Sequence, residues 1–235
     1  MKNLFSRYSF AILTLGLLAF TASAQSRQVQ VKNYNSISVS SGMDLYLKQG
    51  SSESIVIQAD REISDNIVVE QKGSSLSIRF RNGFSWKNLF NNKPIKIYAT
   101  YKNLNVVSAS GGSDVYSQNA IKTNSLSLKA SGGSDLKLSL ACEELIVQVS
   151  GGSDAELNGR ATNMALDASG GSDIDAFNLA SDYARIRATG GSDVNAQVNK
   201  ALEAGASGGG DVTFKGNATL KKTSSSKSGD VRRAK

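Results

Sequence analysis

The stretch that decides the fold of this chain is the pentapeptide Ser-Gly-Gly-Ser-Asp. It occurs at residues 110–114, 131–135, 150–154 and 169–173, and it returns as Thr-Gly-Gly-Ser-Asp at 189–193 and Ser-Gly-Gly-Gly-Asp at 207–211. Its aspartates follow one another at steps of 21, 19, 19, 20 and 18 residues. A repeat of nearly fixed length is typical of a solenoid, in which each unit buries its apolar face by stacking on its neighbours.

Alignment of the copies on the aspartate places apolar residues in three columns. Seven positions before it stand Val107, Leu128, Val147, Leu166, Ile186 and Ala204; five before it stand Ala109, Ala130, Val149, Ala168, Ala188 and Ala206; one after it stand Val115, Leu136, Ala155, Ile174, Val194 and Val212. The residues between these columns are mostly polar. Alternation on both sides of a short Gly-Gly corner predicts two strands per repeat, with the apolar columns inside.

We therefore expect an all-β fold, a single-stranded parallel β-helix or β-solenoid. The spacing predicts about 19–20 residues per coil in the C-terminal half, and we expect the coil to be right-handed. Successive coils of such a structure lie about 4.8 Å apart, so that like residues stack above like. The alanine column predicts a narrow, flattened coil.

The N-terminal half carries a weaker version of the same pattern. Short apolar alternations such as Ile37 and Val39, or Leu45 and Leu47, predict half-buried strands. Between these two pairs, residues 40–44 read Ser-Ser-Gly-Met-Asp, a degenerate copy of the pentapeptide. The solenoid is thus predicted to begin near residue 35. The 70 residues that separate the aspartates of the first two copies form either irregular coils or an inserted set of strands.

Three segments are expected along the chain. Residues 1–24 combine early basic residues, an apolar run and a final Ala-Ser-Ala, which predicts a secretory signal peptide. Residues 25–220 form the β-helix domain, and residues 221–235 form a basic Ser/Lys-rich tail that is either a polar cap or disordered. We expect an exported protein that is periplasmic, on the outer surface or secreted. No later apolar run reaches the length of a transmembrane segment.

The net charge of +7 is unevenly distributed. Residues 221–235 carry a net charge of +5, whereas residues 25–220 hold 19 basic and 19 acidic residues. A neutral body argues against a nucleic-acid partner. Cys142 is the one cysteine, so no intramolecular disulfide is possible, and we interpret it as a small buried residue and not as a redox centre.

The pentapeptide itself is interpreted as a structural corner. A reversal within about three residues requires positive φ, which glycine adopts without a steric penalty. The corner glycines are Gly112, Gly133, Gly152, Gly171, Gly191 and Gly209. The alternative is a calcium-stabilised repeat, in which a row of carboxylates would bind cations: Asp114, Asp135, Asp154, Asp173, Asp193 and Asp211. Since each corner supplies one carboxylate and calcium takes six to eight oxygens, we expect no metal and no cofactor.

Catalytic groups are scarce. The chain has no histidine, which excludes the usual Ser-His-Asp and Cys-His arrangements. A polysaccharide-cleaving β-helix enzyme that uses the aspartate row is the alternative, since stacked aspartates about 5 Å apart could act as the carboxylate pair of a retaining hydrolase. A lyase would need basic residues beside the row, for which Arg185 and Arg187 are the nearest candidates, although we favour a solvated strand face for both. A uniform row lacks the unequal environments that create one acid and one base, so we expect no enzyme.

One stretch interrupts the pattern. Residues 81–93 read Arg-Asn-Gly-Phe-Ser-Trp-Lys-Asn-Leu-Phe-Asn-Asn-Lys and hold the one tryptophan. Exposed aromatic side chains beside cations suit contact with carbohydrate or protein, so Phe84, Trp86 and Phe90 are the predicted ligand-binding residues. The alternative is that these aromatic residues fold back to cover an end of the solenoid.

These features together resemble the GIN domain family, described as the head domain of autotransporter adhesins. The resemblance is carried by the leader, the opening residues 31–47, the repeated pentapeptide and the closing Ser228-Gly229-Asp230-Val231, and it spans roughly residues 33–232. It implies a secreted or envelope-associated β-helix and supplies no catalytic residue.

We expect an exported binding or scaffolding protein of the cell envelope, with adhesin-like character. Its partner is an unidentified envelope glycan or protein. The sequence contains no indication of an oligomeric state.

Overall fold

The computed structural model describes residues 26–84, 94–223 and 228–234, and these are almost entirely β-structure. Parallel strands stack into a β-solenoid of about seven turns, which confirms the predicted parallel solenoid. The predicted signal peptide lies outside the described residues. No helix in the described part of the chain is long and apolar enough to span a bilayer.

The regular half of the solenoid consists of strands that each follow most of one coil. They are β10 (Ile121–Ser131), β11 (Asp135–Ser150), β12 (Asp154–Ser169), β13 (Asp173–Thr189) and β14 (Asp193–Ser207), followed by the shorter β15 (Asp211–Lys215) and β16 (Thr219–Lys222). Neighbouring strands pair in parallel with aspartate opposite aspartate, from Asp135 on Asp154 to Asp193 on Asp211. The copies of the pentapeptide therefore lie directly above one another.

The core is a set of ladders inside the coil. Every residue of the three predicted columns is buried, with at most 2% of its surface exposed. A further buried column, three positions after the aspartate, contains Leu138, Leu157, Ala176, Ala196 and Phe214. Burial of each large apolar side chain contributes about 1.5–3 kcal/mol, so stacking of like residues provides most of the stability.

The Gly-Gly pairs have the backbone conformation that such tight corners require. Gly151 and Gly152 have φ values of 68° and 71°, and both glycines of the other pairs are also left-handed. The corners also hydrogen-bond to one another, as where the Gly112 N–H donates to the Gly132 carbonyl at 3.0 Å. A Cβ on Gly151 would lie 3.3 Å from the Gly132 nitrogen, whereas one on Gly152 would have no atom within 4 Å.

Differences in repeat length are absorbed away from this corner. The register shifts between Glu156 and Asn158 where β12 meets β13, and between Ala176 and Ala180 where β13 meets β14. These positions lie at the second bend of the coil. The Gly-Gly corner and the strand before it keep their register throughout.

The degenerate copy at residues 40–44 is part of the same stack. Its flanking strands, β2 (Ser36–Ser40) and β3 (Asp44–Gln49), pair in parallel with β8 (Val106–Ser110) and β9 (Val115–Ser117). Ser40 lies opposite Ser110 and Leu45 opposite Val115, as between two regular copies. This pairing confirms the prediction that the solenoid begins near residue 35.

Both alternatives for the intervening segment are realised. The strands β6 (Ser75–Phe80) and β7 (Lys96–Tyr101) lie parallel to β2 and β3 and form one more coil. The inserted strands β4 (Ser54–Gln58) and β5 (Ile67–Lys72) pair antiparallel with β7 and β6, and a short helix α1 (Arg61–Asn66) precedes β5. The strand β1 (Ser26–Val29), which precedes this segment in the chain, pairs antiparallel with β4. Antiparallel strands at this end interrupt the parallel edge, which limits further stacking.

The opposite end carries β17 (Asp230–Arg233), which pairs in parallel with β15. Val231 is buried, and the Arg233 guanidinium lies 4.9 Å from the centre of the Phe214 ring and donates to the Ala218 carbonyl at 2.9 Å. Of the two alternatives for the tail, this strand agrees with a cap. The boundaries of the three predicted segments stay a prediction.

Alanine substitutions in one corner should distinguish its two glycines. We expect Gly152→Ala to lower the free energy of unfolding by about 1–2 kcal/mol, because the left-handed conformation strains any residue with a Cβ. Gly151→Ala should cost more, because its Cβ also crowds the preceding coil. Urea unfolding checks this order, with Gly205→Ala, in β14 and without positive φ, as the control. Equal stabilities for the three variants would contradict it.

Candidate functional site

The aspartates of the corners form one continuous column on the outside of the solenoid. It contains Asp44, Asp114, Asp135, Asp154, Asp173, Asp193, Asp211 and Asp230, and Lys96 lies opposite Asp44 at its N-terminal end. The carboxylates bond to the next coil: the N–H groups of Asp173 and Asp193 donate to Oδ1 of Asp154 and Asp173, at 3.2 Å each. These oxygens therefore serve the stacking of the corners.

A second column is formed by the serines that precede these aspartates. Ser113, Ser134, Ser153, Ser172 and Ser192 are buried. Their hydroxyls bond in the opposite direction, so that the Ser113 N–H donates to Ser134 Oγ at 3.1 Å and the Ser134 N–H to Ser153 Oγ at 3.0 Å. Serine and aspartate thus tie each corner to the coils on both sides. Ser192 also bonds within its own corner, where its hydroxyl accepts from the Thr189 N–H at 2.9 Å.

Close packing of like charges affects the titration of this column. Burial, and then the neighbouring Asp114 and Asp154, raise the pKa of Asp135 above its ordinary value. Burial and Asp114 raise the pKa of Asp44, against the effect of Lys96. The Tyr116 hydroxyl bonds to Asp114 Oδ2 at 3.3 Å, and burial together with this carboxylate raises the pKa of Tyr116 to about 12.

Two arrangements bear on the metal and lyase alternatives for this column. Within residues 26–84, 94–223 and 228–234, no group of three or more His, Cys, Asp or Glu side chains is arranged to hold a metal ion. Arg185 and Arg187 lie in the strand before the corner, and the aspartates lie in the strand after it. The basic residues that a lyase would need are thus separated from the carboxylates by the Gly-Gly corner.

The aromatic loop is only partly described. Phe84 is half-buried against the core and stacks on Phe80, with ring centres 4.9 Å apart. Its loop joins β6 to β7, where other coils have the Gly-Gly corner. Trp86 and Phe90 lie outside the described residues, so their binding role stays a prediction.

A row of tyrosines lies on the sheet that follows the corner. The rings of Tyr98 and Tyr116 both stack on Tyr46, with centres 5.1 Å apart and planes 19° apart. Since the stacked rings cover each other's faces, little of the ring faces is left for a ligand. We interpret this row as stabilisation of the N-terminal coils.

The sheet that precedes the corner presents a different surface. Its outward side chains form a regular grid, with three residues from each coil: Glu144, Ile146 and Gln148; Asn163, Ala165 and Asp167; Tyr183, Arg185 and Arg187; Ala201, Glu203 and Gly205; Thr219, Lys221 and Thr223. We call this surface the lateral groove. Ile146 and Tyr183 are its exposed large apolar residues, at 48% and 46% of their surface.

The groove is shaped by small residues among large ones. Ala165 leaves a gap between Ile146 and Arg185, and Ala201 and Gly205 leave gaps on the far side of Tyr183 and Arg187. Two adjoining depressions result, of about 360 and 590 Å³, which share the four residues of the central column from Ile146 to Glu203. Five stacked coils give the groove a length of about 19 Å.

Several side chains in the groove are held in place by their neighbours. Lys200 forms an ion pair with Asp182 at 3.0 Å, and its Nζ lies 5.4 Å from the centre of the Tyr183 ring. Asn163 donates to the Glu144 carboxylate at 2.5 Å, and Glu203 faces Arg185 at 3.5 Å and Lys221 at 3.8 Å. The groove thus combines a positioned aromatic ring with polar groups on both sides.

Two other features are less suited to a ligand. A third depression, of about 620 Å³, is lined by Asn103, Asn105, Lys122, Thr123, Asn124 and Ala141, and it has no aromatic side chain. Cys142 is half-buried, and burial, followed by the nearby Glu144, raises the pKa of its thiol to about 11. A thiol protonated at neutral pH agrees with the interpretation of Cys142 as a packing residue.

The sequence identified Arg185 and Arg187 only as the nearest basic residues for a lyase, and the groove itself was not predicted. Two features of the sequence could have indicated the groove: the large apolar residues Ile146 and Tyr183 at outward positions, and the small residues Ala165, Ala201 and Gly205 at neighbouring outward positions. These residues share no repeat, because outward positions of a solenoid are free to differ from coil to coil.

Comparison with known proteins places this fold in a family. Residues 33–218 match the family model described as "Putative auto-transporter adhesin, head GIN domain". No curated protein sequence matches the chain significantly.

Several solved structures share the fold. A "putative adhesin" from Bacteroides fragilis is 26% identical with a TM-score of 0.84, and the match covers 89% of this chain and 96% of that one. A "putative adhesin" from Parabacteroides merdae and a "Putative lipid binding protein" from Parabacteroides distasonis are 18% and 17% identical. Each has a TM-score of 0.70, with 90% of this chain and 96% of the other covered. At such identities they show the fold alone.

Substitution of Asp135 should reveal the repulsion within the aspartate column. Because the folded state raises this pKa, the stabilising contribution of Asp135 is full below its unfolded pKa of about 3.9 and is lost as the pH rises through the folded value. The stability of Asp135→Asn relative to the natural chain should therefore increase between pH 3.5 and pH 7, measured by urea unfolding.

A second variant provides the matched control. Lys137 lowers the pKa of Asp135, so Lys137→Gln should make the loss of stability with rising pH steeper. If the relative stability of Asp135→Asn stays constant over this range, the repulsion has no effect on folding.

Proposed function

This chain belongs to the family of auto-transporter adhesin head GIN domains, and on this basis we propose that it is a non-catalytic, exported binding protein whose lateral groove holds a glycan. The adhesin description of the family supports a role in attachment. The predicted signal peptide and the family together support a place in the cell envelope, facing the periplasm or the exterior.

The observation that carries this proposal is the exposed ring of Tyr183 at the edge of the groove. Lys200 lies against the ring and is itself held by Asp182, so the ring is positioned before a ligand arrives. A rigid aromatic ring provides a large apolar contact at a small cost in conformational entropy. Sugar rings present apolar C–H faces that pack on such a surface.

The rest of the groove suits a chain of hydroxyl groups. Asn163, Gln148 and Thr219 offer amide and hydroxyl groups around the apolar floor of Ala165 and Ala201. Small-molecule sites typically combine an apolar lining with a few polar groups, in volumes of about 300–1,000 Å³. Stable protein interfaces bury about 800 Å² on each partner, a larger surface than these two depressions offer. These dimensions favour a glycan.

The position of the groove supports an attachment role. It spans coils β11 to β16, away from the antiparallel strands that cover the N-terminal end. A ligand that lies along the solenoid axis therefore contacts the same outward columns on successive coils. The strands β6 and β7, which flank the aromatic loop in the chain, lie at the opposite end, and we propose a separate contact there through Trp86 and Phe90.

Loss of the Tyr183 ring should weaken glycan binding about ten-fold, because the ring contact contributes about 1 kcal/mol beyond its burial. The mature chain is first screened on a glycan array, and the affinity for the strongest ligand is then measured by calorimetry. Tyr183→Phe keeps the ring and should retain most of the affinity, whereas Tyr183→Ala should show the loss of about ten-fold.

The aromatic loop supplies the comparison that separates the two surfaces. If Trp86→Ala abolishes binding while Tyr183→Ala leaves it unchanged, the ligand is held by the loop and the groove proposal is wrong. Binding of no glycan at all would reject glycan binding by either surface. Thermal unfolding of each variant shows that the solenoid remains intact.

A further inference from the structure

We propose that the glycan held in the lateral groove is acidic, and that its carboxylate or sulfate group binds Arg187 in the space above Gly205. This inference rests on the proposed function and adds the chemical class of the ligand. It follows from a comparison of two arginines that are neighbours on the same face of β13.

Arg185 shows how the groove satisfies a guanidinium. In the parallel register Arg185 lies opposite Glu203 of the next coil, and its Nη2 is 3.5 Å from the Glu203 carboxylate. The same carboxylate faces Lys221 at 3.8 Å. One carboxylate therefore faces two cations.

Arg187 occupies the equivalent position two residues further along the strand. Its partner in the next coil is Gly205, which has no side chain to place opposite the guanidinium. Arg187 is exposed, and it makes no ion pair or side-chain hydrogen bond with any described residue. The Glu203 side chain occupies the position opposite Arg185. The equivalent position opposite Arg187 is empty, because Gly205 has no side chain.

The charges on the other side of Arg187 do not fill this space. Asp167 is its partner in the preceding coil, so it lies on the far side of Arg187 from Gly205. The space itself belongs to the smaller depression, whose charged lining consists of Asp167, Arg185, Arg187 and Glu203 and which the exposed Thr223 also lines. A ligand anion there has Arg187 as its donor, Arg185 nearby and the Thr223 hydroxyl as a second polar group.

An anion is the chemistry that a free guanidinium recognises best. Its planar set of N–H donors matches a carboxylate or sulfate with two parallel hydrogen bonds, whereas a neutral hydroxyl can use only one. Uronic acids and sulfated sugars both supply such a group. The Tyr183 side of the groove, where Glu203 is shared by Arg185 and Lys221, then holds the uncharged parts of the chain.

The test compares oligosaccharides that differ only in the acidic group. The affinity of the mature chain is measured by calorimetry for oligogalacturonate, for its carboxyl-reduced neutral counterpart, and for a sulfated oligosaccharide of equal length. We expect at least one acidic probe to bind about ten- to a hundred-fold more tightly than the neutral probe. The stronger of the two acids identifies the group as carboxylate or sulfate.

Variants then locate the acidic group. Arg187→Gln should reduce the affinity for the acidic probe to that for the neutral probe, and Arg160→Gln, an exposed arginine outside the groove, should not. Gly205→Glu places a carboxylate opposite Arg187 and should cause the same loss. Gly205→Gln, of nearly equal size, should cause a smaller loss because it carries no charge.

The results separate this inference from the function on which it rests. If the neutral probe binds as tightly as both acids and binding depends on Tyr183, the groove holds a glycan but the acidic group is rejected. If Arg187→Gln leaves the preference for the acid unchanged, Arg187 is not its site and the inference is overturned. If no probe binds and no array glycan is found, the proposed function fails as well.

Discussion

The structure depends on hydrogen bonds between successive Gly-Gly corners. The glycine N–H groups of a corner find their partners in the next coil, and the flanking serine and aspartate side chains bond to the coils on either side. A corner that slipped by one residue would lose these bonds and turn its apolar columns outward. This constraint explains why the pentapeptide repeats so faithfully, while variation in coil length is confined to the second bend.

The same constraint explains how much of the fold the sequence could predict. The inward residues and the corners must repeat, because each residue stacks on the equivalent residue of the next coil. The parallel solenoid, its core residues and the degenerate copy at 40–44 could therefore be predicted from the spacing of the repeats. The N-terminal end could not be derived in this way. There β6 and β7 continue the stack without a Gly-Gly corner, and the inserted antiparallel strands have only their own local alternation.

The candidate site escaped prediction for a related reason. Stacking requires nothing of an outward side chain except that it tolerate solvent, so Ile146, Ala165 and Gly205 show no pattern along the sequence. Only the strand register shows that these residues lie next to one another on one surface. The conspicuous repeated residues instead build the scaffold, in which Asp154 and Asp173 accept hydrogen bonds from the next coil.

A scaffold of this kind separates folding from recognition. The inward ladders and corners hold the outward positions on a lattice with about 4.8 Å between coils, whatever side chains occupy it. Substitution of one outward residue changes the surface at one position and leaves the core intact. The contrast between Glu203 and Gly205 illustrates this. One satisfies the arginine beside it, and the other leaves an arginine free within a preformed depression. Such a surface can change its ligand by single substitutions, which suits the attachment role that we propose.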